Sequence, residues 1–308
     1  MTTDQGGGVA RIAVFQMTAG IDPQANARSL VAAIDEAKAG GAVMLFTPEM
    51  SGLIDRNRAR AGGHIVPEAA DPVLAAVREA AARTGIWVAI GSLAVAREDG
   101  RWANRAFVID DKGQIAARYD KIHMFDVDLA SGEIWRESSA YVAGDAVVTV
   151  QTPVGLLGLT ICYDLRFPAL FEALGQAGCD VIAIPAAFTV PTGAAHWHVL
   201  QRARAIEASA YVIAAAQAGT HADGRSTYGH SLVVDPWGDV LLDLGEASGG
   251  QVGFCDIDPQ RIVDVRRQLP SLANKRGLAN KRGLANKRGL ADQRALPIAA
   301  KFLDESAA

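Results

Sequence analysis

An α/β fold, with two sheets packed on each other and helices outside them, is what this sequence predicts, and three features lead there. Up to about residue 100, apolar strand-like runs alternate with helical stretches, the pattern of βαβ crossovers. From Arg105 onward the texture changes to hairpins, short apolar runs joined by tight turns. No Pro-, Gly- or Ser-rich linker divides the two textures, so both belong to a single domain, placed at residues 10–271. Strands this numerous, interleaved with about four helices, fit two sheets better than one doubly wound sheet.

The elements follow in order. Residues 1–9, polar and glycine-rich, read as a disordered lead, and Arg11 to Met17 as the first strand. Asp22-Pro23 caps a helix over residues 24–39, with Leu30, Ala33, Ile34 and Ala37 apolar and Gly40-Gly41 as its stop. Residues 42–50 (AVMLFTPEM) form a buried strand that runs out at Pro48-Glu49. Asp71-Pro72 opens a second helix through Ala82, closed near Gly85, and residues 86–95 return to the sheet. Residues 105–110 and 114–121 flank the turn Asp111-Lys112-Gly113. A second hairpin, turning at Thr152-Pro153-Val154-Gly155, delivers a buried strand into Cys162. A helix from Pro168 to about Ala177, a strand over 179–188, a loop over 190–195 and a helix over about 196–209 come next. A strand at 211–219, a hairpin turning at Asp235-Pro236-Trp237-Gly238 and a last strand around 251–258 close the core.

Residues 272–308 form a tail built on Leu-Ala-Asn-Lys-Arg-Gly, begun at Leu272, Leu278 and Leu284, with a degraded copy from Leu290. Six residues of α-helix advance about 600°, so successive leucines fall about 120° apart and make no apolar stripe. A glycine in every copy weakens a helix further. The tail reads as an exposed expansion; the competing reading is a basic interaction arm, since each copy adds Lys and Arg.

Composition narrows the class. Half of the 308 residues are apolar, enough for a sizeable core without disulfides. A net charge of −4 argues against nucleic acid or an anionic membrane as partner. Cys162, Cys179 and Cys255 are too few and scattered for a disulfide framework or a zinc site. The N-terminal residues lack an apolar signal core and no run has membrane-spanning length, so a cytoplasmic protein is expected. His196, His198, His221 and His230 lie in separate segments without ligand-like grouping and read as core or interface histidines, with no metal site.

Three apolar runs end at a residue capable of chemistry: Glu49, Lys121 and Cys162. Cys162 stands at a strand-to-helix turn, where α/β enzymes place their chemistry, although free cysteine is also among the most buried residue types. A thiol attacks well only as thiolate, and an ordinary thiol is mostly protonated at neutral pH. A carboxylate can take its proton and a lysine can stabilise the oxyanion formed on a carbonyl. Glu49 and Lys121 are of the right types for these tasks; each alone also fits a surface charge.

TPEM at Glu49, DKIHMFD at Lys121 and GLTICYDLRFPAL at Cys162 resemble the three signature blocks of the nitrilase superfamily of carbon–nitrogen hydrolases. They occur in the family's order, 72 and 41 positions apart, and the resemblance continues through QRARAIEASAYVIAAAQAGTH and YGHSLVVDPWG, over about residues 10–276. It implies a four-layer α-β-β-α sandwich. It also implies a triad of Glu49 as general base, Lys121 as oxyanion stabiliser and Cys162 as nucleophile. A second glutamate is carried by Glu137, with Glu133 the competing position, and the Tyr163 backbone N–H would complete the oxyanion site. The implied reaction is hydrolysis of a small-molecule carboxamide to carboxylate and ammonia through a cysteine thioester, with no cofactor.

The resemblance is nearest to the branch of deaminated-glutathione amidases and ω-amidases, the latter acting on 2-oxoglutaramate. Nitrile hydrolysis and N-carbamoyl hydrolysis are the neighbouring activities, and a non-catalytic scaffold is the reading from a different class. Substrates carrying a 2-oxo acid call for a cation. Arg166 fits a carboxylate bidentately, against an ion pair with Asp164 or Glu172 as the plainer role. Phe188, Thr189 and the Pro191-Thr192-Gly193 loop would wall the pocket. The helix face of Trp197, Leu200, Ala203 and Ile206 packs either on the sheet or on another subunit. The family implies a homodimer or a larger homo-oligomer.

Overall fold

Alternation along the strands decides how the layers stack. The computed structural model describes residues 8–129, 132, 134–247, 249–276 and 298–301. The chain runs β1 (Ala10–Gln16), α1 (Pro23–Ala39), β2 (Met44–Phe46), α2 (Arg58–Gly62), α3 (Pro72–Thr84), β3 (Trp87–Ala96), β4 (Trp102–Ile109) and β5 (Ile115–Asp120). It continues with β6 (Asp126–Asp128), β7 (Ile134–Arg136), β8 (Val147–Thr152), β9 (Gly155–Leu159), α4 (Pro168–Gln176), β10 (Val181–Ala183) and α5 (Val190–Ala208). Then come β11 (Tyr211–Ala214), β12 (Ala218–Thr220), β13 (Ser226–Tyr228), β14 (Leu232–Val234), β15 (Val240–Asp243), β16 (Gln251–Ile257), α6 (Pro259–Gln268) and β17 (Ile298–Lys301).

One sheet has the order β16-β1-β2-β3-β4-β5 and the other β15-β14-β11-β10-β9-β8-β17. In β1, Ile12 and Val14 point into the core shared with Leu157, Leu159, Val181 and Ile182 of the second sheet. Their neighbours Ala13 and Phe15 point the other way, onto Leu30 and Ile34 of α1 and Val77 of α3. A strand buried on both faces must be apolar at every position, which is why these strands read as continuous runs. Leu170, Phe171 and Leu174 of α4 and Trp197 of α5 join the second sheet's core, so the layers are helix, sheet, sheet, helix.

Local signals set the helix starts. Asp22 accepts from Gln24 N at 2.9 Å and Asp71 from Val73 N and Leu74 N at 2.9 and 2.8 Å, each cap contributing about 1 kcal/mol. The segment 190–195 is not a loop: α5 begins at Val190 with Thr189 as N-cap and Pro191 in its first turn. Proline and glycine together suggested a loop there, but proline is favoured at a helix start. Helix α6 also went unanticipated, although Asp258-Pro259 opens it with the same capping pattern as α1. Strand β16 returns to pair antiparallel with β1, closing the domain. Of the tail, Ile298–Lys301 pairs in parallel with β8; residues 1–7 of the lead and 277–297 of the repeats lie outside the described residues.

Gly91 joins the two sheets at the level where the site is built. It lies at the register shift in β3, and its N–H donates to Thr47 Oγ1 at 3.1 Å. A Cβ there would stand 2.2 Å from Thr47 O, 2.4 Å from Pro185 Cβ and 2.5 Å from the Pro48 carbonyl carbon. Thr47 and Pro48 follow β2, and Pro185 follows β10 in the opposite sheet. Overpacking against backbone typically costs about 1–3 kcal/mol. Gly91→Ala is therefore expected to lose at least that much unfolding free energy in chemical denaturation. A stability indistinguishable from the parent would show that the sheets do not meet there as described.

Candidate active site

Three chain segments leave their strands at the same end of the sandwich. After β2, Glu49 is fixed by a kink: Met50 has φ +55°, its N–H donates to Ser92 Oγ at 2.8 Å, and Gln217 Nε2 donates to Glu49 O at 2.9 Å. Lys121 follows β5, with its own N–H donating to Asn104 O at 2.9 Å. Cys162 opens a 3₁₀ turn (Cys162–Arg166) after β9 at φ +49°, its N–H donating to Pro185 O at 2.8 Å. A non-glycine residue in the left-handed region costs about 1–3 kcal/mol, and such strain clusters at functional sites.

Asp164, fully buried, ties the lysine loop to the cysteine turn. Its carboxylate accepts from Tyr119 Oη at 2.7 Å, His123 N at 3.0 Å and Ile161 N at 2.8 Å, and touches His123 Nδ1 at 2.7 Å. It is therefore not the ion-pair partner of Arg166. Glu172 pairs instead with Lys275.

Lys121 Nζ lies 3.0 Å from Glu49 Oε1 and 2.9 and 3.1 Å from the two oxygens of Glu137. The remaining carboxylate lone pairs are also met. Asn104 Nδ2 donates to Glu49 Oε1 at 2.9 Å and Glu137 Oε1 at 3.1 Å, Ala187 N to Glu49 Oε2 at 3.0 Å, and Phe125 N to Glu137 Oε2 at 2.7 Å. Asn104 escaped the sequence reading because it looks like one polar residue in the strand run WANRAFVI. Its signal was its placement: an amide in a strand otherwise buried needs a buried partner.

Burial pushes the Glu49 carboxyl up, but the Lys121 charge and hydrogen bonds from Cys162, Lys121 and Asn104 outweigh it and hold the group below its ordinary 4.5. Burial lowers the Lys121 ammonium, yet Glu137 and Glu49 hold it well above its ordinary range. Burial and the neighbouring Glu49 charge push the Cys162 thiol well up. The directions of these shifts put a protonated thiol beside an ionised carboxylate of the type that can take its proton.

Eight residues singled out from the sequence, Glu49, Lys121, Glu137, Cys162, Tyr163, Arg166, Phe188 and Thr189, line one cavity of about 420 Å³; of the expected Pro191-Thr192-Gly193 wall only Thr192 lines it. Glu133 lies outside the described residues. Arg166 packs over the rings of Phe188 and Tyr163, 5.3 and 5.8 Å from their centroids, and its Nη1 is 3.3 Å from His196 Nδ1. Among the described residues it has no carboxylate partner. Trp135, Tyr141, Arg58 and Arg225 also line the cavity and had no distinguishing pattern in the sequence. The histidines do group in part: His198 and His230, 32 positions apart, converge on Asp243.

The sign of the pH dependence follows. A carboxyl lowered on folding contributes stability that is present above its unfolded value and is lost as pH falls through the folded one. The stability gap between the parent and Glu49→Gln should be widest near neutral pH and shrink as pH drops below 4.5. Denaturant titrations across the acid range check this; a gap that stays constant would show that Glu49 is not ionised in the folded protein. Lys121 works oppositely, its contribution lasting until pH rises through a folded value above 10.5.

Residues 11–267 match the family described as carbon-nitrogen hydrolase. A deaminated glutathione amidase of Yersinia enterocolitica is 38% identical over 87% of this chain and 93% of its own. One from Homo sapiens is 36% identical over 86% of this chain and 82% of its own. Among solved structures, the C. elegans NitFhit protein superposes with a TM-score of 0.81 at 35% identity, covering 88% of this chain and 66% of that one. A variant amidase of Nesterenkonia sp. AN1, carrying the acetamide moiety of fluoroacetamide on its active site cysteine, superposes at 0.71 and 26% identity, over 87% and 97% of the two chains. With the two-sheet sandwich and the cavity around Cys162, these matches place the chain in the carbon–nitrogen hydrolase family, as an amidase.

Proposed function

We propose that this amidase hydrolyses the carboxamide of a small 2-oxo acid, of the deaminated-glutathione type, through an acyl thioester on Cys162. The observation that carries the reading is the sharing of one cavity by the Cys162 thiol, the Glu49–Lys121–Glu137 cluster and an Arg166 guanidinium that no described carboxylate neutralises. The relatives named above supply the substrate type.

Sulfur attacks the amide carbon while its proton passes to Glu49. The negative charge that Glu49 gives up reappears on the substrate oxygen, where Lys121 Nζ and the Tyr163 N–H receive it. The first N–H groups of a helical turn lack intrahelical acceptors, which suits Tyr163 to that task. Collapse breaks the C–N bond, Glu49 returns the proton to nitrogen, and ammonia leaves, or an amine where the amide is substituted. Water then adds to the thioester, losing its proton to Glu49, and the acid departs as the thiol is restored. Glu137 holds Lys121 in place, and Arg166 binds the carboxylate of the 2-oxo acid.

Steady-state assays with deaminated glutathione, 2-oxoglutaramate and a matched nitrile test this. Turnover of deaminated glutathione, abolished in Cys162→Ala, is expected. Arg166→Gln should raise KM about ten- to hundredfold, and Asn104→Ala should lower kcat by a similar factor, the worth of hydrogen bonds to charged groups. Preference for 2-oxoglutaramate would move the assignment to the ω-amidases. Turnover of nitrile without amide would overturn it, and binding without any turnover would favour a scaffold.

A cytoplasmic homodimer belongs to the same reading. Cys162, Cys179 and Cys255 are all unpaired, and among the described residues no helix is long and apolar enough to cross a membrane. On α5, Trp197 packs inward, its Nε1 donating to His230 O at 2.8 Å, whereas Val199 and Ile206 are exposed, as are Trp237, Val240 and Leu241 of the β14–β15 hairpin, whose Gly238 lies against Ile206. An apolar surface of this kind fits a second copy of the chain. Light scattering should give twice the chain mass, reduced by Val199→Glu; a monomer at micromolar concentration would remove the homodimer.

A further inference from the structure

We propose that His198, His230 and Asp243 form a binding site for a divalent transition-metal ion of the zinc or cobalt kind, separate from the catalytic cavity. His198 Nε2 lies 3.0 Å from Asp243 Oδ2, and His230 Nδ1 lies 2.9 and 3.1 Å from the two oxygens of the same carboxylate. One donor atom from each residue lies within 4.8 Å of the others. Ligands around a tetrahedral zinc ion with bonds of about 2.0–2.1 Å stand about 3.3 Å apart. The nitrogen–oxygen spacings need open by only a few tenths of an ångström, and binding would require the two rings, 5.0 Å apart between centroids, to turn toward a common point. Two imidazoles and one carboxylate leave a fourth position for water, and all three side chains are partly exposed to solvent.

The surroundings favour the ligand state of each group. A metal-bound imidazole carries its proton on the far nitrogen, usually facing an acceptor. Glu246 Oε1 stands 3.8 Å from His230 Nε2, the nitrogen opposite the site. Asp243 also accepts from Gly245 N at 2.8 Å. The backbone is committed as well: His230 has φ +54°, its N–H donates to Gly245 O at 2.7 Å, and the Tyr228 ring stacks on its imidazole at 4.6 Å.

An ion here would tie α5 to the β14–β15 hairpin behind the wall of the catalytic pocket. Phe188 of that wall packs on Trp197 at 4.8 Å, and its carbonyl accepts from Tyr228 N at 3.0 Å. Metal binding would therefore stiffen the segment that carries Phe188 and Thr189 without entering the chemistry.

The test is cobalt(II) titration of the chelator-treated full chain in a Cys162→Ala background, which removes the catalytic thiol as a competing ligand. One cobalt ion per chain is expected, with ligand-field bands and no thiolate charge-transfer band. Affinity should fall at least tenfold in His198→Ala and in Asp243→Asn, both changes at partly exposed positions that circular dichroism can show to be folded. Zinc should raise the thermal midpoint of the Cys162→Ala protein but not of its His198→Ala derivative. Absence of one-to-one binding, a thiolate band, or an affinity unchanged in both variants would overturn the site. In those cases the residues form only a histidine–aspartate hydrogen-bond cluster.

Discussion

The Lys121 ammonium is 2% exposed and holds two carboxylates, the buried Glu49 and the partly buried Glu137. Each ion taken from water costs several kcal/mol, and mutual attraction offsets this only where the remaining lone pairs and protons are satisfied. Here they are, through Asn104 and the backbone N–H groups of Ala187 and Phe125. The cluster carries one net negative charge, and burial together with the nearby Glu49 carboxylate pushes the Cys162 thiol up. In the proposed mechanism, proton transfer from Cys162 to Glu49 and attack on a carbonyl would leave that net charge unchanged. The charge only moves from the carboxylate to the substrate oxygen, within reach of the same ammonium. A site that keeps its net charge through the step needs little reorganisation, the condition under which preorganised electrostatics lower a barrier most.

The sandwich supplies the rigidity this requires. Glu49 comes from one sheet, and its carboxylate accepts from Ala187, which follows a strand of the other. Gly91 lets the backbone ends of both sheets approach closely, and Asp164 fastens the loop after Lys121 to the turn of Cys162. The strained φ of Cys162 persists because its N–H is anchored on Pro185 O, again beyond a strand of the second sheet. Core packing and the reacting groups are thus parts of one structure, and Phe46 and Leu159 of the shared core lie just behind Glu49 and Cys162 in the chain.

Much of this was legible before any coordinates, because continuous apolar runs, Asp-Pro caps and Gly stops are local signals that tertiary context did not override. The strand ends at Glu49, Lys121 and Cys162 were readable for the same reason. What escaped depends on distance in sequence. Asn104 gains meaning only when β4 brings it between two carboxylates, and Arg166 is distinguished by Asp164 being occupied elsewhere. His198, His230 and Asp243 sit on three elements that meet only in the fold. The start of α5 was lost to an ambiguity of chemistry, since proline and glycine mark loops and proline also marks helix starts.

The central claim is that Cys162 carries the acyl group, and mass spectrometry of the quenched enzyme tests it most directly. During turnover of deaminated glutathione, the tryptic peptide containing Cys162 should gain the mass of the 2-oxo acyl group. The gain should be reversed by hydroxylamine and be absent in Cys162→Ala. Steady turnover with that peptide unmodified at every quench time, or with the acyl group on another residue, would contradict it.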